Sequence, residues 1–213
     1  MNLENQQQPE LKTETKPLIR QVKGDGKNVI LGITGTSGSI YGLRILRALL
    51  TNGFNVDLIL TEYATFTLYK ECGVELKQST IKNALPDIAY RDESVIFHNN
   101  LDLKSEMFST NYEALGMIVS PCAMNYVSGI ANGESKNLIE KCADHLLSFS
   151  KPVIIVPRET PLNKIQLKNL LTIADAGGKI VPAMAPYDFN PSGFSDLADY
   201  IAGRVIDMLV RVN

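Results

Sequence analysis

Along the chain, short apolar runs alternate with segments whose apolar residues recur every three or four positions. Val29-Ile30-Leu31-Gly32-Ile33, Val56 to Leu60, Leu115 to Val119 and Pro152 to Val156 are runs of the first kind, the pattern of strands buried on both faces of a parallel sheet. Ile180-Val181 reads as a last short strand, and Val95-Ile96-Phe97 marks one or two more in the weakly periodic stretch from Gly73 to Asn111. Segments of the second kind lie between. Leu43, Leu46 and Leu50 make one stripe with Arg44 and Arg47 off it, closed by Gly53. Val127 to Leu147 is helical and broken near Gly133, and Asn169 to Ala176 continues a helix stopped by Gly177-Gly178. Phe194 to Val212 carries Leu197, Ile201, Val205 and Leu209 on one stripe with Arg204 beside it, a helix expected to dock on the domain or on a neighbouring subunit. This alternation predicts an α/β fold built from right-handed βαβ units.

Composition narrows the class without changing it. At 213 residues the chain can bury a proper core as one domain, expected from Asn28 onward. Met1 to about Lys27, rich in Gln, Glu, Lys and Pro, reads as a flexible tail or loosely docked arm. A net charge of −2 with both signs mixed implies neither a nucleic-acid nor a membrane partner. The three cysteines, Cys72, Cys122 and Cys142, show no metal-ligand spacing, and no apolar leader opens the chain, so a reduced, cytoplasmic, metal-free protein is expected.

The candidate chemistry gathers where strands end, since ligands of open parallel sheets bind beyond the strands' carboxyl ends. Thr34-Gly35-Thr36-Ser37-Gly38-Ser39 supplies hydroxyls and backbone amides at the start of a helix, an anion cradle. Gly32, Gly35 and Gly38 fall three apart, not in the dinucleotide spacing, which favours a mononucleotide, while Glu62 past the second strand leaves a ribose carboxylate and NAD open. Thr61 offers a second phosphate donor or a helix cap. Pro121 is expected to end central pairing, and the Ala123-Met124-Asn125 turn after it suits one face and edge of a flat heteroaromatic ring. The fourth such edge, Pro157-Arg158-Glu159-Thr160-Pro161-Leu162, projects opposite charges from a stiff turn that either serves the crevice or pairs with itself. His98 beside an apolar run reads as a hydrogen-bonded structural residue, and Cys122 lacks any cue for a lowered pKa.

Gly-Ile-Thr-Gly-Thr-Ser-Gly-Ser-Ile-Tyr-Gly (32–42), Pro-Cys-Ala-Met-Asn with Ile-Ala-Asn-Gly and Asn-Leu-Ile-Glu (121–140), and Val-Pro-Arg-Glu-Thr-Pro-Leu (156–162) resemble the UbiX flavin prenyltransferases, in order and from Asn28 to about Leu209. The resemblance implies a flavodoxin-like (Rossmann-like) three-layer α/β sandwich, in a homo-oligomer of trimers, usually dodecameric, with FMN between subunits. It also implies metal-free transfer of a dimethylallyl group from dimethylallyl monophosphate to N5 and C6 of reduced FMN. The product is the prenylated cofactor used by a partner decarboxylase of the UbiD type.

By position, the resemblance implies that Gly35, Thr36, Ser37, Thr61, Ala123, Met124, Asn125, Tyr126 and Arg158 bind FMN. Ser37, Glu71 and Glu159 are the implied catalytic residues, with Glu159 the proton donor to leaving phosphate, and Lys141, Asp188 and Arg204 fall at positions that hold the prenyl phosphate. Here the family's lysine before the Pro-Arg-Glu strand is Ser148, its arginine in the preceding helix is Lys141, and its late-loop tyrosine is Asp188. Two alternatives follow. One is an FMN-dependent oxidative decarboxylase of cysteine-type substrates, which needs a catalytic His98, and the other is a non-catalytic flavin-binding paralogue.

Overall fold

The computed structural model describes residues 22–109 and 112–211. Within them, β1 (Asn28–Ile33), β2 (Asn55–Leu60), β3 (Val95–Asn99), β4 (Gly116–Cys122), β5 (Val153–Pro157) and β6 (Lys179–Ile180) form one sheet in the order β3-β2-β1-β4-β5-β6, every pair parallel. This is the doubly wound, Rossmann-like form of the expected flavodoxin-like sandwich. Helices α1 (Ser39–Thr51), α2 (Glu62–Cys72), α3 (Ile81–Ala84) and α7 (Phe194–Arg211) cover one face, and α4 (Met124–Ala131), α5 (Leu138–Ser148) and α6 (Lys164–Asp175) the other.

Strand alternation accounts for the layering. Val29, Leu31 and Ile33 of β1 point into the core under α1 and α7, while Ile30 joins Met117, Val119, Val153 and Ile155 under α4 to α6. Both faces are covered, so the strands read as nearly continuous apolar runs.

The structure differs from the sequence pattern at three places that bear on the site. Leu46 and Leu50 of α1 are buried, but so are Ile45, Ala48 and Leu49, and Leu43 is only half-buried. This helix lies between the sheet and α7 and buries two adjacent strips, with Arg44 and Arg47 at the rim against Asp199 and Asp87. Pro121 does not end β4: a register irregularity between Val119 and Cys122 absorbs the missing donor, and Cys122 then pairs with Pro157. Helix α6 begins at Lys164, a start the apolar pattern does not mark, where the side chains of Asn163 and Gln166 close a capping box.

Of the N-terminal arm, residues 1–21 lie outside the described residues. The next six are tied to the α1–β2 turn, where Val22 N donates to Asn52 Oδ1 at 2.8 Å and Gly24 N to Asn52 O at 2.7 Å. Among the described residues no helix is long and apolar enough to cross a membrane.

Candidate functional site

The strand order reverses between β1 and β4, so the loops leaving their carboxyl ends part and open a crevice. Thr34, wholly buried just past β1, holds the two sides together. Its hydroxyl donates to Pro121 O at 2.6 Å and accepts from Ala123 N at 2.8 Å. The loop's first hydroxyl is therefore a clasp between strand ends, a contact across 89 residues that no local spacing announces.

Beside this clasp lies a cleft of about 980 Å³, at the upper end of ligand-pocket sizes. Of the residues expected at the flavin, Gly35, Thr61, Ala123, Asn125 and Tyr126 line it, while Met124 packs against the core below. Tyr63 and Phe66 of α2 form an aromatic flank, their ring centroids 5.7 Å apart. A Cβ on Gly35 would stand 2.4 Å from Tyr63 Cβ, so only glycine lets this ring lie on the loop. Sequence reasoning passed over Tyr63, Phe66 and Asn100; an i, i+3 aromatic pair just past a strand end was the available signal for the first two.

Helix ends divide the labour. At α1 two amides of the expected anion cradle are taken: Glu71 Oε2 accepts from Gly38 N and Ser39 N, both at 2.9 Å. Burial alone would raise this carboxyl, but the amides of Ser39 and Gly38 outweigh it and hold Glu71 below its ordinary value. Thr61 caps α2, accepting from Ala64 N at 3.0 Å, which leaves its own hydroxyl proton for the cleft. Helix α4 is open. Its N-cap, Ala123, has no side-chain acceptor, and the amides of Met124, Asn125 and Tyr126 find none among the described residues. The open amides of α4 offer an anion entering the cleft a second place to bind beside the glycine loop at α1.

Arg158 stands at the end of β5 and touches the other end of the glycine loop. Its Cδ would lie 2.9 Å from a Cβ on Gly38, whose φ of 102° also requires glycine, and Thr36 Oγ1 donates to Arg158 O at 3.4 Å. Burial pushes the nearby Tyr41 phenol up, and the Arg158 charge opposes that rise. Arg158 Nε is buried with no partner among the described residues. A buried, unspent guanidinium donor, open amides on α4 and a glycine loop fit the phosphate and polar ring edge of a flavin mononucleotide. Glu159 and Ser37 are exposed, and no Arg158–Glu159 ion pair forms among the described residues: Glu159 Oε1 accepts from Thr160 N at 3.0 Å instead.

Other expected residues lie elsewhere. Lys141 Nζ sits 4.0 Å from the Phe108 ring centroid and donates to Leu103 O at 3.3 Å, Ser148 Oγ donates to Asp144 O, and Asp188 and Arg204 are exposed on a late loop and on α7. None of the four lines the cleft. His98 is held on β3 by Asp57 of β2, 2.7 Å away, and is likewise no part of the cleft wall. The Cys122 thiol is buried and its pKa pushed far up by that burial, which removes it as a nucleophile.

Residues 19–206 match the family model described as Flavoprotein. Over 180 residues the chain is 38% identical to the flavin prenyltransferase UbiX of Halalkalibacterium halodurans, covering 84% of this chain and 86% of that one. The crystal structure of AnUbiX (PadA1) in complex with FMN and dimethylallyl pyrophosphate is similar at a TM-score of 0.75 and 28% identity, covering 86% of this chain and 92% of that one. A dodecameric FMN-dependent UbiX-like decarboxylase from Escherichia coli O157:H7 gives 0.74 at 28% identity, covering 84% and 93%. A switch-point cleft with open amides and an unspent arginine, in a chain matched nearly end to end, places this protein: it belongs to the flavoprotein family, among the UbiX-type flavin prenyltransferases.

Proposed function

We propose that this protein is a flavin prenyltransferase, joining the dimethylallyl group of dimethylallyl monophosphate to N5 and C6 of reduced FMN. The carrying observation is the strand-edge geometry, an open α4 N-terminus on a 980 Å³ cleft with a partnerless Arg158 Nε at the adjoining loop, in a chain 38% identical to a UbiX.

In this reading Gly35, Thr36, Ser37, Thr61, the turn from Ala123 to Tyr126 and Arg158 hold FMN. Bound and reduced, the flavin supplies the nucleophilic atoms. Arg158 and the α4 amides fix negative charge in place before any bond changes, which lowers the reorganisation that water would require. Glu159, exposed at the Pro157–Leu162 turn, gives a proton to the departing phosphate, with Ser37 and Glu71 beside the glycine loop. Tyr63 and Phe66 turn aromatic faces toward the positive charge that develops on the allyl group.

Lys141, Asp188 and Arg204, which lie off the cleft here, serve prenyl phosphate at a cleft completed by a neighbouring copy in a homo-oligomer of trimers, assembled as a dodecamer. Exposed Leu101 and Tyr63 at the cleft and Ile165, Leu167 and Leu171 on α6 supply apolar surface for such contacts. The product passes to a UbiD-type decarboxylase in the cytoplasm. Anaerobic incubation with reduced FMN and dimethylallyl monophosphate, read by mass spectrometry, tests the reading. A flavin heavier by one prenyl group is expected from the wild type and not from Glu159→Gln, and a wild type that yields bound flavin but no adduct overturns it.

A further inference from the structure

Asn100 follows β3, is 8% exposed, and yet forms part of the cleft wall. Its backbone carbonyl accepts from Leu138 N at 2.7 Å and its Oδ1 from Ile139 N at 3.2 Å, so it closes the N-terminus of α5. Its Nδ2 donates to the Tyr126 hydroxyl at 3.1 Å. A backbone amide can only donate, so Ile139 decides which end of the Asn100 side chain is the oxygen. Tyr126 must then accept from Asn100, and its own proton points elsewhere. No acceptor among the described residues takes that proton, and Tyr126 lines the same cleft.

We infer that Asn100 is a positioning residue, which fixes the Tyr126 hydroxyl as an acceptor toward α5 and thereby presents its proton to an acceptor oxygen of bound flavin. The inference rests on the flavin reading above. Burial pushes the Tyr126 phenol up, with the Asn100 amide opposing and the Glu140 charge adding, so the hydroxyl keeps the proton it is to donate.

Asn100→Asp inverts this arrangement with little change in shape. A carboxylate still accepts from Ile139 N and suits the start of a helix, but it also accepts the Tyr126 proton and withdraws it from the cleft. Fluorescence titration with FMN is expected to show Kd raised about tenfold in Asn100→Asp, matching Tyr126→Phe, with no further loss in the double variant. Thermal midpoints of all three should stay near the wild-type value. A loss that persists when Asn100→Asp is made on Tyr126→Phe would be charge repulsion and would overturn the inference. So would an Asn100→Asp protein that binds FMN as tightly as the wild type. A wild type that binds no FMN instead overturns the flavin reading, and this inference with it.

Discussion

Two polar groupings of the sheet are built on opposite plans, one inside strands β2 and β3 and the other toward the carboxyl ends of β4 and β5. Asp57, 5% exposed in mid-strand, lies 2.7 Å from His98 Nε2 and accepts a short bond from the Tyr112 hydroxyl. Burial pushes the Tyr112 phenol far up, and the bond to Asp57 adds to it, so that proton stays with the pair. Each carboxylate oxygen has a donor. Toward the carboxyl ends of β4 and β5, Arg158 Nε and Ser120 Oγ are buried without partners among the described residues, and the first amides of α4 are likewise open. Buried polar atoms that satisfy one another need nothing from outside, whereas those left over cost free energy until a ligand meets them. On this criterion the Asp57 cluster is architecture, and the strand edge carries the open groups that the proposed flavin site needs. The histidine that a cysteine decarboxylase would need belongs to the first group.

The largest effect expected from breaking this division is at Asp57. Asp57→Ala leaves the half-buried Tyr112 hydroxyl and His98 ring without their acceptor, which should lower the unfolding free energy in urea by about 3 kcal/mol. Below the unfolding transition, FMN affinity should stay within about twofold of wild type, because the cluster is no part of the cleft wall. Lost FMN binding with intact stability would move the cluster into the site. Arg158→Ala is the converse and comes next. With no protein partner for Nε, unfolding free energy should change by less than about 0.5 kcal/mol, while FMN Kd rises roughly thirtyfold, as for a lost charge-assisted bond. Equal loss of stability would make Arg158 structural.

How much of this was readable from the chain depends on the range of the forces involved. The central strands β1, β2, β4 and β5 were legible because burial on both faces demands unbroken apolar runs, while the edge strand β3, with Ile96 half-exposed, gave only a faint signal. Gly35, Thr61 and the Ala123-Met124-Asn125 turn were singled out by one topological rule, that ligands gather at strand carboxyl ends, and Tyr126 only by the family resemblance. What escaped were contacts between distant segments. The Glu71 carboxylate reaches Ser39 across 32 residues, and the Asn100 side chain reaches Ile139 across 39. Neither leaves a period or spacing in sequence. Pro121 misled for a similar reason, since a local rule about missing donors was overridden by a register shift that only the neighbouring strand reveals.

Glu71 sharpens the comparison with the smallest effect, because it is a satisfied group placed at the edge of the unsatisfied region. Its carboxyl, held below the ordinary value of 4.5 by the Ser39 and Gly38 amides against the opposing pull of burial, binds its proton less readily folded than unfolded. Its contribution to stability is therefore present above about pH 4.5 and is lost as pH falls through the depressed folded value. Thermal midpoints measured from pH 7 down to pH 3 should fall more steeply in the wild type than in Glu71→Gln, whose amide does not titrate, and the two curves should converge at the acid end. The group is exposed, so solvent screens the difference to a few degrees at most. FMN affinity at neutral pH should be the same in both proteins if, as proposed, Glu71 keeps the Gly38 and Ser39 amides and the flavin's phosphate takes those of α4. Parallel pH curves would remove Glu71 from α1's end in solution. A Glu71→Gln protein that binds FMN more tightly would show that the flavin and Glu71 compete for the same two amides.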